Sequence, residues 1–178
     1  MAEVKVYTRG GDAGETSMLS GQRVSKADPH IAAVGELDEL SVALGFARLA
    51  YKKREALLKG FQKELYILSA FVSYVGDKDI DKFKLDSGAV TRLEKLIDEV
   101  EATLPPLKDF IYPGQTEASC RLHQARVVAR RTERIIAVLE PQKQAAAVPY
   151  VNRLSDLLFV LAREADQELG QVEEKYSG

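Results

Sequence analysis

Two stretches of this sequence hold residue types whose spacing could do chemistry. The first is Thr8-Arg9-Gly10-Gly11-Asp12-Ala13-Gly14-Glu15-Thr16-Ser17. Glycines permit positive φ and close backbone approach, so successive N–H groups can turn inward around an anion. Thr8, Thr16 and Ser17 add hydroxyl donors, Arg9 adds charge, and Asp12 could orient water or a cation. Lys26, nine residues past Ser17, could fold back onto the same anion. The stretch is not a Walker A loop, because no Gly-Lys-Ser/Thr follows, and it is not a Gly-x-Gly-x-x-Gly fingerprint. An anion cradle and an ordinary surface loop both fit it.

The second stretch runs from Glu117 to Arg134 and holds Arg121, Arg126, Arg130, Arg131 and Arg134 against Glu117 and Glu133. On a helix, Arg126, Arg130 and Arg134 stack along one face, where like charges four apart oppose one another. The stack calls for an anionic partner: acidic residues of neighbouring helices, a nucleic-acid backbone or a polyphosphate. Asn152 and Asp156 lie one turn apart beside an apolar stripe. Such residues suit a helix interior only when their side chains have a partner, so they could orient the arginines or bind a ligand. Asp38 interrupts the stripe between Leu37 and Leu40 and is a candidate partner for a buried arginine.

Helices must position these groups. Asp28 suits an N-cap with Pro29 at the first helical position, and Ile31, Val34, Leu37, Leu40, Leu44 and Ala47 then recur at spacings of three and four. A second helix is predicted over 55–75, a third from about Asp86 to Leu104, a fourth from about Thr116 to Leu139 and a fifth from about Pro149 to Leu169. No strand alternation exceeds Val4-Lys5-Val6-Tyr7. Helices of about 20 residues, hence about 30 Å long, joined by short connections, predict an all-α, five-helix bundle. It would be a single domain over 1–178, with a glycine-rich arm (1–27) ahead of the helices (28–170).

Composition narrows the function. Among 178 residues, 25 Lys+Arg against 27 Asp+Glu give a net charge of −2, which disfavours a generally basic nucleic-acid binder. One cysteine cannot form an internal disulfide, and two histidines leave little for a metal cage. Cys120 and His123 are three apart on a helix, but no second pair completes a zinc site, so Cys120 is expected as a buried thiol. Neither histidine follows a Glu at three positions, so a di-iron bundle site is absent. The longest apolar runs, such as 157–162, fall short of a membrane span of about 20 residues. The expectation is a cytoplasmic protein with no membrane or nucleic-acid partner.

Taken together, the motifs resemble the PduO-type ATP:cob(I)alamin adenosyltransferases. The resemblance is carried by Tyr7 through Thr16, Gly35-Glu36-Leu37-Asp38-Glu39-Leu40 with Leu44-Gly45, and Phe110-Ile111-Tyr112-Pro113-Gly114. It continues through Leu122-His123-Gln124-Ala125-Arg126, Arg130-Arg131-Thr132-Glu133-Arg134 and Val151-Asn152-Arg153-Leu154-Ser155-Asp156. It implies a ferritin-like four-helix core plus one helix, a homotrimer, and active sites at the subunit interfaces. The reaction would move the 5′-deoxyadenosyl group of ATP, bound with Mg²⁺, to the cobalt of cob(I)alamin and release inorganic triphosphate.

By motif, Thr8, Arg9, Gly10, Gly11, Asp12, Gly14, Thr16, Ser17 and Lys26 would hold the triphosphate, with Arg130, Arg131, Glu133, Arg134 and Asn152 completing the nucleotide site. Asp38 would pair with Arg126 across the interface. Phe110 would pack under the corrin ring and displace the lower nitrogen ligand of cobalt, and Arg130 would steady the leaving triphosphate. No protein-caged metal is implied. A cob(II)alamin reductase and an adenosylcobalamin-dependent enzyme are the implied partners. Departures are Ser41 where Asn is common, His30 where Arg is frequent, Tyr112 in place of Leu, and Gln115-Thr116. A catalytically silent nucleotide- or corrinoid-binding bundle is the alternative, and an RNA-binding scaffold is a third.

Overall fold

The computed structural model describes residues 7, 9–74 and 83–176. Thr8, Val4 to Val6 and the expected end of the second helix at Val75 lie outside the described residues. Five α-helices carry the fold: α1 (Pro29–Ala50), α2 (Glu55–Ser73), α3 (Ala89–Glu101), α4 (Glu117–Ile136) and α5 (Pro141–Glu168). A 3₁₀ turn, Lys52–Arg54, joins α1 to α2.

The helix starts follow local chemistry. Asp28 Oδ1 accepts the His30 N–H at 2.9 Å ahead of Pro29, as expected. Thr116 and Ser119 form a reciprocal capping box at the start of α4. α5 begins eight residues earlier than the sequence predicts, with Pro141 at its first position and Pro149 inside it. A proline lacks only its own N–H donor, and the helix-favouring run Gln142–Ala147 sustains the turns before Pro149. The ends at Ser73, Glu101 and Ile136 fall short of the predicted ones.

The other difference is a short antiparallel hairpin in the arm, β1 (Glu15–Ser17) with β2 (Arg23–Ser25), in which Thr16 pairs with Val24. Three-residue strands have no period to detect. The hairpin docks on the bundle through buried Met18 and through Leu19 N–H, which donates to the Ser73 carbonyl at 3.2 Å.

α5 is the spine. It packs on α4 and α3, and α1 packs on α4 and α2. From Tyr150 to Asp166 nearly every α5 residue is buried, the pattern of a helix surrounded by others. Taken whole, α5 is long and apolar enough to cross a bilayer, which its short apolar runs do not suggest, but over half of that window is buried inside the fold. Glu36 near the start of α1 pairs with Arg131 late in α4, and His123 early in α4 meets Phe159 late in α5, so α4 runs antiparallel to both. α3 runs parallel to α5, with Glu94 on Arg153 and Pro105 on Arg163.

These directions give the bundle two distinct ends. The arm, the start of α1 and the end of α2 share one end with the start of α5. The connection carrying Phe110 and the segment after α5 share the other. At the arm end Lys143 is buried, and its ammonium donates to the carbonyls of Phe71 and, at 2.7 Å, of Tyr74. It therefore caps the last turn of α2 with a cation where the helix dipole is negative. Burial pushes its pKa down, against the opposing influence of Glu140. Lys143→Met removes both of these charge-assisted hydrogen bonds, at a cost of roughly 1–3 kcal/mol. Urea denaturation is expected to show a lower midpoint with an unchanged m-value, and hydrogen exchange to show a less protected Leu19 amide.

Candidate functional site

The arm closes on itself through one residue the sequence did not single out. Arg23 Nη2 donates to the Gly10 carbonyl at 2.8 Å and lies 3.4 Å from Glu15 Oε2, while Nη1 reaches Ser17 Oγ at 3.3 Å. The guanidinium thus laces Gly10 and Ser17 together across the hairpin. Arg9 adopts φ +60° and Gly14 φ +84°. Between them, Asp12 N–H donates to the Arg9 carbonyl and Gly14 N–H to the Gly11 carbonyl. Lys26 folds back onto the loop: its backbone N–H donates to Gly14 at 2.9 Å, and its Nζ sits 3.1 Å from where a Cβ on Gly11 would stand. A Cβ there would also stand 3.1 Å from the Glu15 carbonyl oxygen, so a larger residue at position 11 would crowd the ammonium and the loop backbone together. Gly10, Gly11, Gly14, Thr16, Ser17 and Lys26 are therefore brought together, Asp12 is exposed beside them, and Thr8 lies outside the described residues.

The α4 arginines divide into two sets. Arg131 Nε donates to Glu36 at 2.7 Å and its other end pairs with Glu39, so its charge is answered by α1. Arg126, Arg130 and Arg134 meet no carboxylate among the described residues. Arg134 Nη1 instead donates to the Arg130 carbonyl at 2.9 Å. Arg126 is half-buried, and its Nε donates to His123 Nδ1 at 3.2 Å while its guanidinium lies 6.0 Å from the Phe159 ring centroid. Burial, and then the charge of Arg130, lower its pKa.

Beside this face, Asn152 Nδ2 donates to Glu133 at 3.1 Å. Arg153 holds the Asn152 carbonyl oxygen at 2.6 Å and bonds Asp156 and Glu94 at 3.0 and 3.1 Å. The amide of Asn152 is thereby oriented from both ends. A groove of about 410 Å³ opens between α3, α4 and α5, with Arg126, Arg130, Arg153, Asp156 and Phe159 on its walls. Phe159 and Arg153 extend the expected site.

Two expected partners do not meet within one chain. Asp38 is exposed on the face of α1 that adjoins α2, in a shallow recess with Ser41, Gln62 and Tyr66, whereas Arg126 faces α5. Phe110 is 87% exposed at the far end of the bundle from the arm. From Lys143 to Arg163, α5 rises about 30 Å, which separates Phe110 from Gly11. Cys120, expected buried, is exposed, with its sulfur against Gly114. Ala118, Ser119, Leu122 and His123 take the inward face of α4, which leaves Cys120 on the outer one.

His123 is buried and neutral. Burial, and then the charge of Arg126, push its pKa from 6.5 down to about 4, with Asp166 opposing. A neutral ring accepts from Arg126 at Nδ1, whereas a protonated one would repel it. As pH falls from about 6.5 to about 4, the unfolded chain takes up a proton that folded His123 refuses, so stability falls across that window. His123→Gln is expected to lose this part of the slope, so its urea midpoint drops less than the wild type's between pH 7 and pH 5.

Comparison with known proteins bears on this geometry. The sequence model of the family described as cobalamin adenosyltransferase matches residues 6–165. Corrinoid adenosyltransferase PduO of Salmonella typhimurium is 41% identical over 171 residues, covering 93% of this chain and 51% of the relative. A corrinoid adenosyltransferase of Citrobacter freundii is 38% identical over 165 residues, covering 89% of this chain and 93% of the relative. The chain thus spans about half the length of the Salmonella relative but nearly all of the Citrobacter one. A variant of the PduO-type ATP:corrinoid adenosyltransferase from Lactobacillus reuteri, complexed with cobalamin and ATP, superposes with a TM-score of 0.92 at 32% identity, covering 98% of this chain and 100% of the other.

Proposed function

The chain belongs to the cobalamin adenosyltransferase family, and on that premise we propose that it transfers the 5′-deoxyadenosyl group of ATP to cob(I)alamin. The observation that carries the proposal is the open arginine face: among the described residues Arg130 and Arg134 stand a turn apart with no carboxylate to answer them, and Arg126, a turn before, is left for Asp38 of a neighbouring copy. A triphosphate supplies that charge, and guanidinium forks match phosphate oxygens well. The electron pair of cobalt(I) attacks the 5′ carbon, the carbon–oxygen bond breaks, and triphosphate leaves with the bonding pair. The chemistry needs no protein nucleophile; the chain supplies binding and orientation.

The Arg9–Ser17 loop with Lys26 gathers donors for one end of the triphosphate. Arg130 and Arg134 take up charge as it leaves, and Glu133 with Asn152 orients the nucleotide. Arg131, already paired with Glu36 and Glu39, holds α4 against α1. Mg²⁺ travels with ATP and lowers the charge these groups must meet. Among the described residues no three His, Cys, Asp or Glu side chains converge on a metal of their own.

The arm and Phe110 stand at opposite ends of one chain, and Asp38 and Arg126 on different faces, so a site using all of them is shared between copies. The number of copies comes from the resemblance to the PduO-type adenosyltransferases, which implies a homotrimer. Exposed Val42, Phe46 and Leu49 on α1, with Tyr66 on α2, support burial of that side against a neighbour. The protein is assigned to the cytoplasm, where a reductase would supply the cobalt(I) substrate and an adenosylcobalamin-dependent enzyme would take the product.

An anaerobic assay with ATP, Mg²⁺ and chemically reduced cob(I)alamin is expected to convert the corrinoid spectrum to that of adenosylcobalamin and release free triphosphate. ATP binding without product would favour the silent carrier instead. In the same assay Arg130→Ala is expected to lower kcat/KM by about 100-fold and weaken ATP binding in calorimetry. Its stability should stay within about 0.5 kcal/mol, because the side chain is exposed. For assembly, Asp38→Arg is expected to shift sedimentation away from the trimer, and Arg126→Asp in the same chain to restore it; a trimer unaffected by Asp38→Arg refutes the shared pair.

A further inference from the structure

Phe110 is held without help from its own ring. The ring is 87% exposed, and the backbone around it is tied to the segment that follows α5. Tyr112 N–H donates to the Glu174 carbonyl and Tyr176 N–H to the Phe110 carbonyl, both at 2.8 Å, around a bridge between Ile111 and Lys175. Lys175 Nζ pairs with Asp109 at 3.0 Å. The loop and the tail thus form one two-stranded flap outside the helical core.

Both strands of the flap lead back to Arg163 on α5. Its side chain is 1% exposed. Nε donates to Glu173 Oε1 at 2.5 Å, just before the tail joins the flap, and Nη2 donates to the Pro105 carbonyl at 2.6 Å, where the loop leaves α3. A buried cation is a poor source of stability, because desolvation offsets much of its attraction and an apolar side chain would fill the same floor. What a guanidinium adds is direction: a rigid fork fixes two acceptors at once. Here the two acceptors are the roots of the strands that present Phe110.

We propose that Arg163 is a positioning residue, which through Glu173 and the Pro105 carbonyl fixes the loop–tail flap that aims Phe110 at the corrinoid. The proposal rests on the adenosyl-transfer reading and deepens it. Arg163 touches no part of the groove's arginine face and lies at the opposite end of α5 from the arm. Its loss therefore acts on the corrinoid half of the reaction and spares ATP.

The test uses Glu173→Ala and Arg163→Met in the full chain, with Arg163→Lys as the conservative variant. Glu173 lies outside the helices, so its variant retains the bundle even where Arg163→Met fails to fold. Hydrogen exchange at the Tyr112 and Tyr176 amides is expected to quicken by about tenfold, with helix amides unchanged. The kcat for cob(I)alamin is expected to fall by about tenfold, within the loss that a misplacement of about 1 Å produces at a reacting centre. ATP affinity by calorimetry stays at the wild-type value, and Arg163→Lys recovers part of both losses.

Wild-type amide protection in Glu173→Ala would overturn the proposal. So would lost protection with unchanged kcat, or ATP affinity falling in parallel. A wild-type chain that bound ATP but made no adenosylcobalamin would instead overturn the functional reading, and with it the purpose assigned to the flap.

Discussion

Like charges on one helix face are the constraint around which this bundle is arranged. Arg126, Arg130 and Arg134 repel along α4, and α4 is also the helix packed between α1 and α5. A face of that kind cannot turn into an apolar core. The helix therefore presents Ala118, Leu122, Ala125, Ala129 and Ile136 inward and leaves the arginines along the groove. Glu36 and Glu39 of α1 neutralise Arg131 alone. Arg126, closest to the core, keeps its charge by donating to a neutral histidine and lying against an aromatic ring. Neither contact cancels the charge, so the face remains attractive to an anion.

The spine helix shows the complementary arrangement. α5 is largely buried, yet its polar residues reach several different neighbours. Lys143 caps α2, Tyr150 donates to Glu64 of α2 at 2.6 Å, and Asn152 reaches Glu133 of α4. Arg163 holds the tail, and Glu164 accepts from Arg54 and Tyr51 beside the α1–α2 turn. Buried polar groups must find partners. On a central helix the available partners belong to different elements, so the same requirement fixes rotation and register. Apolar packing alone specifies these less sharply.

Much of this was legible in the sequence because it is periodic or local. The stripes of α1 and α2, the Asp28–Pro29 start and the arginine stack all depend on spacings of three and four. What was not legible depends on contacts across the chain or on elements too short to repeat. Pro149 marks a helix start by local rules, yet α5 begins at Pro141 and runs through it. Arg23 is one cation among many until a three-residue hairpin brings it to Gly10 and Ser17. No spacing marks Phe159 for the site; only the packing of α4 on α5 brings Arg126 to its ring. Cys120 matched a buried thiol by type, but Ala118, Ser119 and Leu122 take the inward face of α4 and leave it outside. Lys26, nine residues past Ser17, folds back onto the glycine loop, a contact the sequence allowed but did not separate from a solvated surface lysine.

The distribution of groups between the two ends carries a further consequence. The glycine loop and the flap bearing Phe110 are separated by most of the length of α5, about 30 Å, and a nucleotide cannot span that distance within one chain. The arginine face of α4 runs between the ends, with Arg134 toward the arm and Arg126 toward the flap. Any reaction that uses loop, face and flap together must therefore draw them from more than one copy, and the exposed Asp38 and the open Arg126 are the complementary charges such a contact would join. Assembly would then do more than stabilise the fold. It would complete the site, supply the carboxylate that Arg126 lacks, and close an otherwise open groove against water, where electrostatic interactions with a departing triphosphate become stronger.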